Sequence, residues 1–139
     1  MLYPKKVKHR KWQVGRTNLG KKGRIASRGI TVAFGSHGLK AETHGRVQAN
    51  QIEASRKVIT RALKKTGRMW IRIFPDRPFT SKPAEVKMGK GKGELQGYEV
   101  EVLPGRVLFE VDGLTAAEAA AALKEAGSKL PIKTKVIAR

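Results

Sequence analysis

The sequence predicts an α+β fold in which two helices pack on a sheet, and three observations lead to that class. Its 139 residues suit one domain, which would bury about two thirds of the surface that the unfolded chain exposes. Short runs rich in β-branched and aromatic residues are typical of strands. Two further segments repeat apolar residues at the helical period behind capping-box residues. We therefore expect one α+β domain over residues 30–139, preceded by a basic arm over residues 1–29.

The predicted strands are short. They are residues 30–34 (ITVAF), 70–74 (WIRIF), 98–103 (YEVEVL), 107–112 (VLFEVD) and 132–138 (IKTKVIA). In YEVEVL, Tyr98, Val100 and Val102 share one face and two glutamates share the other, which is the pattern of a half-buried strand. Pro104 and Gly105 supply the turn between YEVEVL and VLFEVD.

The first helix is predicted to begin at Asn50, with Glu53 three residues later as in a capping box, and to end at Gly67. One face is apolar and contains Ile52, Val58, Ile59, Ala62 and Leu63. The opposite face contains Arg56, Lys57, Arg61, Lys64, Lys65 and Arg68. Because no acid is interspersed among these cations, the usual stabilising ion pairs are absent. This favours contact with RNA over a face that is merely solvated.

The second helix is predicted to begin after Thr115, which forms a capping box with Glu118, and to end at Gly127. Leu114 stands where a hydrophobic staple residue precedes the cap. Residues 116–122 are alanine except for Glu118, so the helix can approach the sheet closely. We expect this helix to have a structural role only.

The charge balance points to a polyanionic partner. The chain has 30 Lys and Arg against 11 Asp and Glu, a formal net charge of +19. Self-repulsion of this size weakens a compact fold unless a polyanion neutralises it, so nucleic acid ranks first and an anionic membrane second. Residues 1–41 contain no acid, whereas residues 94–128 contain seven acids against Arg106 and Lys124. The cations are therefore expected to face phosphate on one side of the protein.

Several function classes are disfavoured. The chain has no cysteine, which excludes disulfides, thiolate zinc sites and cysteine nucleophiles. Residues 15–21 (GRTNLGK) resemble a Walker A loop in spacing, but Lys22 stands where Ser or Thr must bind magnesium. The histidines are scattered and Asp76 and Asp112 are the only aspartates, so no metal or paired-carboxylate site is indicated. We expect no enzyme activity, cofactor, metal or small-molecule substrate.

The arm lacks helical or alternating periodicity and is rich in glycine and cations. Such segments usually stay disordered until a polyanion folds them. A mitochondrial presequence is also basic, but Pro4 and the absence of an amphipathic helical repeat argue against one. In FGSHG (34–38), Gly35 and Gly38 are expected to form a turn.

A second basic segment, the connection of residues 75–97, is far longer than an ordinary connection, and residues 82–97 within it show no sign of a strand or helix. Prolines stiffen its first half and glycines loosen its second half. As two arms of about eleven residues, it could project up to roughly 35 Å from the body. Glycine allows close approach to a sugar-phosphate chain, and Lys87, Lys90 and Lys92 can neutralise phosphates without reading a base sequence.

Residues 71–93 (IRIFPDRPFTSKPAEVKMGKGKG) resemble the signature of bacterial ribosomal protein sixteen of the large subunit. That family includes protein ten of the eukaryotic large subunit. Residues 1–16, 32–41, 51–61 and 130–135 resemble the family in the same order, so the resemblance covers nearly the whole chain.

The resemblance implies a hammerhead-like α+β fold with a mixed sheet, in a cytoplasmic, ribosome-bound protein without catalytic activity. It implies binding to 23S rRNA near the peptidyl-transferase centre, beside neighbouring large-subunit proteins, with a role in positioning A-site and P-site tRNA and in late subunit assembly. The candidate rRNA-binding residues in the arm and on the first helix are Lys5, Lys6, Lys8, Arg10, Lys11, Arg16, Lys21, Lys22, Arg56, Arg61, Lys64 and Lys65. The candidate tRNA-proximal residues in the loop are Arg77, Lys82, Lys87, Met88, Gly89, Lys90, Gly91, Lys92 and Gly93. Lys87 stands where many bacterial members carry an arginine that can be hydroxylated, so that modification is expected to be absent or different.

Two open alternatives concern the aromatic residues and the class of RNA-binding protein. Tyr3, Trp12 and Phe79 could stack on unpaired bases or form local hydrophobic contacts. The aromatic residues expected in the core are Trp70, Phe74 and Phe109.

The main rival to a ribosomal role is an independent RNA chaperone or RNA-binding module. An RNA-processing enzyme lacks an acid-base set, and a membrane-surface protein lacks aromatic anchors on its cationic helix.

Overall fold

The computed structural model describes residues 1–13 and 24–139, and it confirms the α+β class. The elements in chain order are β1 His37–Ala41, β2 Gly45–Gln48, α1 Ala49–Leu63, β3 Arg68–Ile71, β4 Arg77–Ser81, β5 Glu94–Val102, β6 Val107–Asp112, α2 Ala116–Gly127 and β7 Thr134–Ala138. Neither helix is long and apolar enough to cross a membrane, as far as the described ranges extend.

The strands form two antiparallel sheets. This differs from the single mixed sheet that the resemblance implied. The four-stranded sheet has the order β3-β6-β1-β7 and the three-stranded sheet has the order β2-β5-β4. Helix α2 packs on β1 and β7, and α1 packs on α2 and on strands of both sheets. The core between these layers includes Leu39 and Phe109 from the larger sheet, Val102 from the smaller one, and Ile59 and Leu123 from the helices.

Helix α2 matches the prediction at both ends. The backbone N–H of Thr115 donates to the Glu118 carboxylate at 3.1 Å, and the Glu118 N–H donates to the Thr115 hydroxyl at 3.4 Å. The helix ends at Gly127, as expected. This element is specified by residues within its own sequence, so a local pattern was sufficient to predict it.

Helix α1 differs from the prediction at both ends. Its N-cap is Gln48, whose backbone N–H donates to the Gln51 side chain at 2.9 Å, so the capping pair lies two residues before the one predicted. The helix ends at Leu63 instead of reaching Gly67. Lys64 has a φ of 52°, a left-handed backbone conformation that cannot continue a right-handed helix.

Residues 30–34 do not form the predicted strand. The backbone N–H groups of residues 33–35 donate to the carboxylate of Glu110 at distances from 2.6 to 3.1 Å. Donors that bind a side chain are not available for a sheet ladder, so the first strand is His37–Ala41 instead. Gly38 therefore lies inside β1 and not in the turn that was expected around it.

The remaining predicted strands are in place, with different limits. Strand β6 matches residues 107–112, while β3 starts two residues before Trp70 and ends at Ile71. Strand β5 starts at Glu94 instead of Tyr98, and β7 lies within the predicted run.

The long connection 75–97 is in part a β-hairpin, because β4 pairs with β5. Pro78 lies within β4 and concealed this strand from the sequence pattern. Proline cannot donate to a ladder, but β4 is the edge strand of its sheet, where such a residue is tolerated.

Candidate nucleic-acid interface

The tip of the β4–β5 hairpin, residues 82–93, lies beyond the paired part of its two strands. The two strands pair from Arg77 opposite Glu99 to Ser81 opposite Glu94, and the tip begins where this pairing ends. Residues 83–92 are all exposed, and the side chain of Met88 is 92% accessible. The hairpin therefore presents the lysines of its tip to solvent on a paired stem.

The backbone of the tip is shaped by its glycines. Gly89 and Gly91 have φ values of 95° and 99°, which glycine adopts without steric cost, and Lys90 between them has a φ of 55°. The ammonium group of Lys82 donates to the carbonyl oxygen of Gly89 and so bridges the loop. A Cβ atom added at Gly89 or Gly91 would meet nothing within 4 Å, so this side of the backbone is open to a close ligand.

The start of the arm lies along the same hairpin. The rings of Tyr3 and Tyr98 meet edge to face, with 6.0 Å between centroids. Arg10 and Lys11 lie 3.1 and 3.6 Å from the Glu94 carboxylate, and Lys92 donates to the carbonyl oxygen of Trp12. The arm thus runs from the middle of β5 to the tip. Residues 5–12 and 82–93 form one surface, which we call the arm–tip surface.

The root of the hairpin has a different electrostatic character. The guanidinium of Arg77 lies between Glu99, at 3.4 Å, and Glu101, with which it forms a hydrogen bond. Arg46 from β2 approaches the same carboxylates at 3.6 and 3.5 Å. Burial raises the pKa of Glu99 and outweighs the two arginines, which act to lower that pKa. We call these four side chains the root cluster; its cations are already neutralised within the protein.

Within the described ranges, no group of three histidine, aspartate or glutamate side chains is arranged to hold a metal ion.

Comparison with known proteins identifies the family. The family model described as ribosomal protein L16p/L10e matches residues 4–137. The chain belongs to the ribosomal protein L16p/L10e family. It is 55% identical over 139 residues to large ribosomal subunit protein uL16 of Sphingopyxis alaskensis, which covers 100% of this chain and 94% of the relative. The proteins of the same name from Erythrobacter litoralis and Psychrobacter arcticus are 53% and 51% identical over 139 residues, again 100% of this chain, and 93% and 98% of the relatives are covered. The resemblance read from the sequence is confirmed.

The predicted binding residues of this L16p/L10e protein fall into separate places. Arm residues Lys5, Lys6, Lys8 and Arg10 are exposed and Lys11 is half-buried. Arg16, Lys21 and Lys22 lie outside the described residues. The loop residues from Lys82 to Gly93 are at the tip, but Arg77 is in β4, where its side chain is only 13% accessible. The placement of Arg77 in a protruding loop was therefore wrong.

One of the cations predicted on the first helix forms an ion pair with an acid. Arg56 binds Glu53 through two hydrogen bonds of 2.6 and 2.9 Å, and this contact lowers the pKa of the Glu53 carboxyl. The amino group of Met1 lies 4.0 Å from the same carboxylate, so the arm starts beside α1. Arg61, Lys64 and Lys65 are exposed. The expectation that no acid accompanies the helix cations was wrong at Arg56, because Glu53 lies one helical turn before it.

Sequence reasoning missed the role of Glu110. This residue is fully buried, accepts the backbone N–H groups of Ala33, Phe34 and Gly35, and binds the Arg72 guanidinium. Burial acts to raise the pKa of its carboxyl, but these hydrogen bonds outweigh burial and the pKa is lowered. The available signal was a glutamate within the otherwise apolar run VLFEV.

The predicted burial of the aromatic residues is correct for some of them and wrong for others. Phe109 is fully buried, as expected, but Phe74 is 44% accessible and not in the core. Phe74 and Pro75 leave the sheet after β3 has ended, so alternation no longer directs the ring inward. Trp12 is 44% accessible at the arm–tip surface, and Tyr3 contacts Tyr98, which agrees with the local hydrophobic alternative.

Residues 24–29 were assigned to the arm from the sequence, but they lie against the folded body. The N–H of Ala26 donates to the carbonyl oxygen of Pro104 at 2.9 Å, and the N–H of Val107 donates to that of Gly29 at 2.8 Å. These residues therefore cover the turn between β5 and β6.

Proposed function

We propose that the protein is a structural constituent of the large ribosomal subunit that binds 23S rRNA near the peptidyl-transferase centre through its arm–tip surface. It is ribosome-bound in the cytoplasm, acts without catalysis, and contacts neighbouring large-subunit proteins. Membership of the L16p/L10e family supports the ribosomal role. The observation that supports RNA contact is the tip with its exposed lysines, which lies against the basic arm. Lys92 donates to the carbonyl oxygen of Trp12, and Glu94 forms an ion pair with Arg10.

The mechanism is electrostatic scaffolding. Eight cations on the arm–tip surface can lower the repulsion between RNA segments that lie close together; they are Lys5, Lys6, Lys8, Arg10, Lys11, Lys87, Lys90 and Lys92. Phosphate contacts of this kind fix position and orientation without reading sequence. The tip continues from strands β4 and β5, which pair in the three-stranded sheet, so the fold sets where the tip begins.

The two parts of the surface have different partners in this proposal. The arm binds rRNA and joins the protein to the subunit late in assembly, whereas the tip reaches toward the acceptor region of A-site and P-site tRNA. The left-handed glycines at 89 and 91 support this role of the tip, because they leave the backbone open to close approach by a sugar-phosphate chain.

The salt dependence of RNA binding tests the electrostatic mechanism. If the eight cations each neutralise one phosphate, log affinity of the full chain for folded RNA should fall with log salt concentration at a slope of about −7. Filter binding or fluorescence anisotropy at several salt concentrations gives this slope. A slope close to zero would rule out charge as the main source of affinity.

Two variants test the division between arm and tip. Deletion of residues 1–11 should reduce incorporation into the large subunit, measured by sedimentation after a moderate salt wash. Deletion of residues 90–93 should leave folding and incorporation intact but slow tRNA accommodation in the particles. Normal accommodation by such particles would contradict the role of the tip, and a full-length protein absent from washed particles would favour an independent RNA-binding module.

A further inference from the structure

An aromatic stack lies outside the arm–tip surface. The ring of Phe34 is stacked with that of Trp70, with 6.1 Å between centroids and an interplanar angle of 22°. The guanidinium carbon of Arg72 lies 5.0 Å from the Phe34 centroid. Although it is supported by these two side chains, Phe34 remains 57% accessible. A large aromatic surface is therefore held toward solvent.

The backbone that carries the exposed ring is anchored to the buried carboxylate of Glu110. The backbone N–H of Phe34 donates to Glu110 at 2.6 Å, and Arg72 binds the same buried carboxylate. Trp70 is the cross-strand neighbour of Glu110 in the β3–β6 pair, so it projects from the same face of the sheet. The Glu110 contact holds the backbone of residue 34, and Trp70 and Arg72 support the ring, so the ring can stack on a ligand with little loss of side-chain entropy.

The surroundings of the stack carry cations. A cavity of about 370 Å³ is lined by Phe34 and Trp70 together with Thr66, Arg68, Asp112 and Gly113. Arg68 is exposed and begins β3, which is the edge strand of the four-stranded sheet. Arg68 in this lining and Arg72 over the Phe34 ring thus place two cations at the stack, with Asp112 as the acid of the lining.

We propose that this stack is a second RNA site, in which the exposed face of Phe34 stacks on one unpaired base and Arg68 binds the adjoining phosphate. The proposal rests on the RNA-binding function above but uses different residues. A stacked aromatic ring beside a cation matches the base and the phosphate of one nucleotide. An apolar protein segment would fit less well, because Arg68 would lose solvation at its edge.

Ultraviolet crosslinking with peptide mass spectrometry tests the site directly. The full chain is bound to a single-stranded oligouridine of twelve nucleotides, irradiated, and digested with trypsin. The peptide 29–40 contains Phe34 as its only Phe, Trp or Tyr residue, so a uridine adduct on it reports stacking at this position. We expect that adduct in the unaltered protein, together with adducts on arm and tip peptides.

Phe34→Leu should remove the adduct on peptide 29–40 and weaken binding of the oligonucleotide by about fivefold or more, since a stacked base contributes on that scale. Phe74→Leu is the matched control, because Phe74 is also exposed and the chemical change is identical. The control should retain the adduct and the affinity. Circular dichroism should show both variants folded, because Glu110 binds the backbone of residue 34 and not its ring.

Arg68→Gln provides a second test that leaves the aromatic rings unchanged. Loss of one phosphate contact should reduce the salt slope for single-stranded RNA by about 0.7. An unchanged slope would overturn the assignment of Arg68.

The outcomes separate this site from the arm–tip function. Adducts on arm and tip peptides without one on peptide 29–40 would overturn the second site and leave the proposed function standing. The absence of RNA binding would overturn both. In assembled particles, a crosslink from peptide 29–40 to another protein instead of RNA would show that a protein covers the stack and would also overturn the proposal.

Discussion

The two ends of the β4–β5 hairpin both carry cations, yet they differ in how these are paired. At the root, Arg77 and Arg46 lie within 3.6 Å of Glu99 or Glu101, and Arg77 is only 13% accessible. At the tip, Lys87, Lys90 and Lys92 are exposed, and across the described residues none of them forms a salt bridge. One end of the hairpin satisfies its charges internally and the other leaves them for a partner.

This difference shows that a count of positive residues does not locate a binding surface. Arg77 and Lys87 are equally cationic and lie ten positions apart in the same basic segment. Only the cross-strand pairing of β4 with β5 places Arg77 opposite Glu99. A neutralised arginine stabilises the sheet, whereas an unpaired lysine raises the local potential that attracts phosphate. Substitutions should therefore separate stability from RNA affinity.

The largest effect is expected at Glu110, a buried carboxylate that accepts three backbone N–H groups and binds Arg72. Glu110→Gln should lower the free energy of unfolding by about 3 kcal/mol, because it leaves Arg72 without its counter-ion and backbone donors of residues 33–35 without a charged acceptor. Urea titration monitored by circular dichroism gives this value. A loss below about 0.5 kcal/mol would contradict the anchoring role, since that is the range of ordinary surface substitutions.

The same variant has a pH signature. Because the folded pKa of Glu110 is lowered from its ordinary value of 4.5, its stabilising contribution is complete above pH 4.5. It is lost as pH falls through the folded pKa, when the carboxyl becomes protonated. The difference in unfolding free energy between the unaltered protein and Glu110→Gln should therefore shrink below pH 4.5. A difference that grew in acid would refute the lowered pKa.

The root cluster should give the next largest effect. Arg77→Met should reduce the free energy of unfolding by about 2 kcal/mol, because Glu99 is buried and would lose a partner 3.4 Å away. Lys87→Met at the exposed tip is the matched control and should change stability by less than about 0.5 kcal/mol. An equal decrease in the free energy of unfolding in the two variants would show that the root and the tip contribute equally to stability.

RNA affinity should show the opposite order. The double variant Lys87→Gln, Lys90→Gln should reduce the salt slope of RNA binding by about 1.8, since two phosphate contacts are removed. Arg77→Met should leave the slope unchanged, because its charge is already balanced by carboxylates. Anisotropy titrations at several salt concentrations measure both slopes. A reduced slope in Arg77→Met would show that the root also contacts phosphate.

The smallest effect is expected at Glu94, the acid between arm and tip. Its contacts with Arg10 and Lys11 are mostly solvent-exposed, so Glu94→Gln should change stability by less than about 0.5 kcal/mol. Both cations would then bind phosphate without competition from this carboxylate, so RNA affinity should rise slightly at low salt. Lower affinity would show that Glu94 positions the arm for binding.

Local patterns predicted the elements whose specifying residues are close in sequence. Helix α2 follows from Thr115 and Glu118, three positions apart, and β6 follows from one uninterrupted apolar run. The error at residues 30–34 has the opposite cause. Their strand-like composition is overridden by Glu110, which lies 75 or more positions away in the sequence. A periodicity window of eleven to eighteen residues cannot contain that interaction.

The candidate site was predictable to a similar degree. Composition indicated a polyanionic partner and marked the arm and the glycine-lysine segment as its cationic parts. It could not indicate that these parts meet, because Lys92 and the carbonyl of Trp12 are 80 positions apart. The sequence prediction also assigned Trp70 to the core, whereas in the structure the ring of Trp70 stacks with that of the exposed Phe34.

The amino-acid sequence by itself determined the α+β class, the family and the excess of positive charge, because each of these depends on residue types and short spacings. Only the tertiary structure decided which cations are neutralised, where the arm lies and which aromatic rings face solvent. The physical reason is that ion pairing and burial depend on distance in space. In this protein the decisive contacts, Arg77 with Glu101 and Phe34 with Glu110, join residues that are 24 and 76 positions apart.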